Sequence, residues 1–121
     1  MKAHVYFVSS LGTAKRVAEV DVPDSMDIHE GLEFVYHRLQ NVNGSWSMGP
    51  NFEECPHRNG EPNHDFWKEV KFVGEFPQHC DGSILGERSM MKGDLVHLVG
   101  ERINKTFKVA MFGFEAYKEA A

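Results

Sequence analysis

The sequence predicts an α+β fold: a small antiparallel sheet of four or five strands, one main amphipathic helix and a long irregular insertion over about 43–86. Three observations carry that expectation. Runs of alternating apolar and polar residues lie near both ends of the chain. A single stretch has helical periodicity behind an acidic cap, and the middle is crowded with Gly, Pro and Asn. At 121 residues the chain fits one domain, 1–121, able to bury one core without staples. Its 41% apolar and 12% aromatic content is that of a globular chain rather than a disordered one.

The first element is a strand over residues 3–9, where β-branched and aromatic side chains dominate. Ser9 to Thr13 form a turn, and residues 14–22 return as a second strand, antiparallel to the first. Ala14, Arg16, Ala18 and Val20 are expected on one of its faces, with Val17 and Val22 off it. Pro23 ends the strand by removing a ladder donor. Asp27-Ile28-His29-Glu30 then carries the signature of a capping box. Ile28, Leu32, Val35, Tyr36, Leu39 and Val42 follow as one apolar stripe. Gly31 weakens this helix by about 1 kcal/mol relative to alanine, and its missing side chain suits close packing against the sheet.

From residue 43 the pattern breaks. Gly44, Gly49, Gly60, Pro50, Pro56 and Pro62 make turns, and a strand is expected to start at Val70-Lys71-Phe72-Val73. Loops this long in a compact domain tend to be functional or mobile. The chain closes with a hairpin over 94–112. A Gly93-Asp94 step leads into the alternating Leu95-Val96-His97-Leu98-Val99, and Thr106 to Phe112 return. Gly93 suits a turn conformation that other residues resist. Asp94 is placed to accept a backbone amide, and Arg88 to pair with a carboxylate or with the negative ends of carbonyls.

The ordered parts resemble a set of small phage- and plasmid-encoded proteins that includes the YodL-like group. Arg88-Ser89-Met90-Met91-Lys92-Gly93-Asp94-Leu95-Val96 and Gly113-Phe114-Glu115 carry the resemblance, together with the helix from Asp27 to Asn41. Met91 stands where that pattern has a second Ser, and Lys92 where it has an apolar residue. About the first 45 and last 35 residues are covered. The resemblance implies a fold of two strands, a helix and a hairpin. It also implies a phage or mobile-element origin and a bacterial host cytoplasm as the location. It implies no reaction.

Several chemistries are open to the residues themselves. Three of the seven histidines and both cysteines lie between residues 55 and 80. Cys55, His57, His64 and Cys80 are the candidate zinc ligands, since zinc accepts thiolate and imidazole. Their spacing lacks the paired Cys-x-x-Cys knuckles of a structural zinc site, so no cofactor is expected and zinc is the alternative. Cys55 and Cys80 with His57, His64 or His79, oriented by Asp65 or Asp81, are the pieces of a small hydrolase. No nucleophile elbow, phosphate loop or dinucleotide fingerprint accompanies them.

A formal charge of -5 points away from nucleic acid as the main partner. A nucleic-acid surface would need Lys15, Arg16, Lys68, Lys71, Arg88 and Lys92 to gather on one face. Met1 to Val8 is too short for a signal core or a membrane span, and no membrane association is expected. The aromatic residues of the middle segment have two uses: to pin the segment onto the sheet, or to capture a partner. On the second use Trp46, Phe52, Phe66 and Trp67, with Arg88 and Ser89 at the join, are the candidate partner-binding residues. The resulting expectation is a non-enzymatic accessory protein that binds a bacterial host protein, its oligomeric state open.

Overall fold

A computed structural model describes residues 1–77 and 86–117. In chain order the elements are β1 (Lys2–Val8), β2 (Ala14–Asp21), α1 (Ile28–Arg38), β3 (Val70–Phe72), β4 (Leu95–Gly100), β5 (Ile103–Val109) and β6 (Phe114–Ala116). The strands form one antiparallel sheet in the order β3-β2-β1-β4-β5-β6. Among the described residues the architecture is therefore α+β, one helix against an antiparallel sheet.

β1 forms where its β-branched and aromatic residues place a strand, and its side chains alternate, with Ala3, Val5 and Phe7 buried in the core. The same face of β4 contributes Val96 and Leu98, and of β5 Phe107 and Val109. His4, Tyr6 and His97 lie on the opposite, half-buried face, where the rings of His4 and His97 face each other across the β1–β4 pair, 6.1 Å apart.

β2 departs from simple alternation. Val5 pairs with Ala18 but Tyr6 pairs with Arg16, so Val17 is the extra residue of a bulge. Both Val17 and Ala18 are fully buried as a result, and Arg16 is exposed. Val22 is also buried and continues the core face of Ala18 and Val20. The expected division of this strand is corrected on both counts.

The capping box at the start of α1 is formed. The Glu30 amide donates to Asp27 Oδ1 at 2.8 Å, and the Asp27 amide donates to Glu30 Oε1 at 3.1 Å. Leu32, Val35 and Leu39 of the expected stripe are buried. Its two ends are not: Ile28 opens the helix beyond the sheet, and Val42 lies past the helix end, so both are exposed. Gly31 packs where a side chain would crowd, since a Cβ there would come within 3.2 Å of Val22.

Among the described residues the sheet holds six strands where four or five are expected. The addition is β6, three residues that pair with the end of β5. A strand that short has no room for a period-2 signal. β3 forms at the predicted place inside the irregular segment, paired with β2 through Ala18 and Phe72. The two outermost strands are the two shortest.

Candidate functional site: the β1–β2, 88–94 and β5–β6 end of the sheet

Asp94 organises one end of the sheet. Its side chain is 1% exposed and accepts four hydrogen bonds. Two come from backbone amides, Val8 at 3.0 Å and Met91 at 2.9 Å. Two come from Arg88, Nη1 at 2.7 Å and Nη2 at 2.8 Å, a paired geometry that suits guanidinium and carboxylate. Gly93, at φ 97°, turns the chain in the left-handed region so that Asp94 can reach back to Met91. The Val109 amide donates to the Asp94 carbonyl at 2.9 Å. One residue thus joins β1, the 88–93 approach and β5.

Arg88 is held from several sides. Its guanidinium lies 4.2 Å from the centre of the Phe7 ring, and Nη1 also donates to the Ser89 carbonyl at 3.0 Å. The hydrogen bonds to Asp94 hold the guanidinium above its ordinary range, so its charge is permanent. Ser89 Oγ accepts from the Asn41 amide at 2.8 Å, and the Met90 amide donates to the Leu39 carbonyl at 2.8 Å. The strap 87–90 is thereby stitched to the C-terminal end of α1, with Met90 buried beneath it.

The irregular segment owes its order to polar side chains. Asp65 Oδ2 accepts from the Val42 and Asn43 amides, both at 2.7 Å. Asn63 Oδ1 accepts from the Ser45 amide at 2.9 Å, while Nδ2 donates to the carbonyls of Ser45 and Gly49 at 2.7 and 2.9 Å. Pairing across about twenty positions carries no local signal in the sequence.

The predicted partner-binding residues divide. Trp46 and Phe52 are buried. Trp46 packs edge-on against Phe7 and Phe72 at 5.8 and 6.1 Å, and its Nε1 donates to the Arg88 carbonyl at 2.7 Å. These two rings pin the segment and offer no surface. Phe66 and Trp67 are each 38% exposed, and the guanidinium of Arg38 lies 4.4 Å from the Trp67 ring centre. Arg88 and Ser89 sit at the end just described.

Of the zinc candidates, Cys55 is half-buried with a free thiol, and His57 and His64 are exposed. Cys80 lies outside the described residues, as do His79 and Asp81. Among the described residues no three His, Cys, Asp or Glu side chains are grouped to hold a metal. Asp65 is committed to the Val42 and Asn43 amides and so is not positioned as an orienter for a histidine. Of the basic residues named for nucleic acid, Lys15, Arg88 and Lys92 line one cleft, whereas Lys71 lies at the β3 edge opposite Glu19. Among the described residues no helix is long and apolar enough to cross a membrane.

That cleft, of about 720 Å³, runs between the β1–β2 turn and the 87–93 strap. Around it the turns carry apolar residues into solvent. Leu11 is 91% exposed in the β1–β2 turn, and Phe112 is 92% exposed in the β5–β6 turn. Met111 and Met91 are exposed beside them. The strand order places the two turns about three strand spacings apart, a row of roughly 14 Å with Met91 between. Residues 9–16, 86–94 and 108–113 hold five cations against two acids. Both acids are taken up in ion pairs, Glu87 with Lys15 at 2.7 Å and Asp94 with Arg88. No family model, curated protein or solved structure matches the chain.

Proposed function

We propose that this chain is a non-enzymatic accessory protein, of phage or mobile-element origin, that binds a protein of its bacterial host. The observation that carries the reading is the exposed row Leu11, Met91, Met111 and Phe112 at the sheet end. Exposed residues of this size, clustered and rimmed by charge, mark association surfaces, whereas single ones need no explanation. Arg88 and Ser89 hold the strap that presents Met91 and Lys92, so they act here as positioning residues for the contact. The basic surround fits a partner with an acidic rim.

The origin and the bacterial cytoplasm rest on the resemblance of the capped helix and the Arg88-to-Val96 motif to small phage and plasmid proteins. Phe66 and Trp67 form a separate, half-exposed aromatic pair on the irregular segment, available as a second contact. The test is affinity capture from bacterial lysate with wild type and a Leu11→Asp/Phe112→Asp variant. One stoichiometric host protein retained by wild type and lost by the variant supports the reading. Equal retention by both, or none by either, overturns it.

A further inference from the structure

The end of the sheet opposite the apolar row is its counterpart. Strand directions put the start of β1, the end of β2, the start of α1 and the β4–β5 turn together there. They surround a second cavity of about 720 Å³. Met26, Ile28 and Ile103 give it apolar walls, and Asp24, Asp27 and Glu101 stand at its rim. Residues 21–30 and 100–103 carry five acids, and Arg102, Lys2 and the Met1 ammonium are the cations of this end, so its balance is acidic where the other end's is basic. Lys2 takes up Asp21 at 2.8 Å and the Met1 ammonium takes up Asp24, which leaves Glu101 and Asp27 as the acids of the rim.

We infer that these two ends are the halves of one interface, and that the chain associates head to tail with a second copy of itself. The Phe112 turn of one copy seats in the Met26–Ile28–Ile103 cavity of the next, while Lys92 approaches Glu101. Three observations select this occupant. Protruding apolar turns at one end meet an apolar hollow at the other. The charges of the two ends are opposite, which favours the contact and steers it. The sheet edges offer little competition, because β3 and β6 have three residues each and short edges pair poorly. The contact joins different surfaces, so each copy keeps one free knob and one free socket. Such a contact grows into a chain unless its rotation closes a ring. The inference does not depend on the host partner; a bound copy covers the same apolar row and excludes that partner while it is there.

The test is sedimentation velocity of the full chain from about 10 µM to about 1 mM, the range of transient protein contacts. Wild type is expected to shift to larger species with concentration, less so at high salt. Phe112→Asp breaks the knob, and Asp24→Lys/Glu101→Lys reverses the socket rim. All three positions are exposed, though Asp24 pairs with the Met1 ammonium, so the Tm of each variant is measured beside its association. Each variant alone should lose association at least tenfold. Mixed in equal amounts, they should form a one-to-one dimer and stop, because one sound knob meets one sound socket. Monomers for wild type throughout, association that survives in either variant, or a mixture that stays monomeric each overturns the inference.

Discussion

Replacing Asp94 with alanine strikes the point where β1, the 88–93 approach and β5 are tied together. The substitution leaves the Val8 and Met91 amides without their acceptor, and an unsatisfied buried donor costs about 1–3 kcal/mol. It also strands Arg88. That side chain is 38% exposed and can rehydrate, so its share is about 0–1 kcal/mol, the value of a solvent-accessible pair. Relief of the buried carboxylate offsets part of the loss, and breaking one side of a buried pair costs about 3–5 kcal/mol in general. The low end, about 3 kcal/mol, is the expected loss here. With an unfolding entropy of roughly 2.1 cal/mol/K per residue, that lowers Tm by about 12 °C.

Urea and thermal melts of wild type, Asp94→Ala, Arg88→Met and the double variant measure it. The double variant should be more stable than the two single losses combined would allow, by about 1 kcal/mol or more, because the second substitution removes an already stranded charge. Asp94→Asn should recover little, since its amide NH₂ would face donors. A loss below about 1 kcal/mol for Asp94→Ala, or strict additivity with Arg88→Met, would refute the role given to this residue.

Other outcomes follow from the same geometry. Asp27→Ala opens the capping box and should cost about 1 kcal/mol, read as a fall of roughly 4 °C in Tm. His4 is held below its ordinary value, first by desolvation and then by the neighbouring Arg16. Its neutral form therefore favours the fold, and stability should decline as pH falls from about 6.5 towards the lowered value. His4→Gln should flatten that part of the pH–Tm profile, and an unchanged slope counts against it. Treatment with a chelator should leave Tm unchanged and elemental analysis should find no stoichiometric zinc. Bound zinc with a Tm drop on its removal would instead bring Cys55, His57, His64 and Cys80 forward as ligands.

What was legible in the sequence is what is local. Asp27 and Glu30 are three residues apart and their mutual caps depend on that spacing alone. The alternation of β4 and the Gly93-Asp94 turn are likewise written within a few positions, whereas the choice of Asp94 as the partner of Arg88 is not. The bulge at Val17 was not legible, because it depends on how β2 meets β1. Nor was the fate of Trp46, whose burial requires Phe7, Phe72 and the Arg88 carbonyl to converge from distant positions. Asn63 gave no signal of its own and Asp65 was open to a role as an orienter, yet both are clamps of the irregular segment. The apolar row escaped sequence reading for a related reason. Leu11, Met91 and Phe112 have the same composition as core residues, and only the placement of the turns exposes them.

Quantitative capture of a host protein on immobilised chain addresses the central claim most directly. With Leu11 and Phe112 intact, and with Phe66→Ala/Trp67→Ala as the companion variant, one host protein should bind at fixed stoichiometry. Leu11→Asp/Phe112→Asp should lose it while keeping the wild-type Tm. Retention of that protein by the Leu11→Asp/Phe112→Asp variant, or no stoichiometric partner for the wild type, contradicts the account.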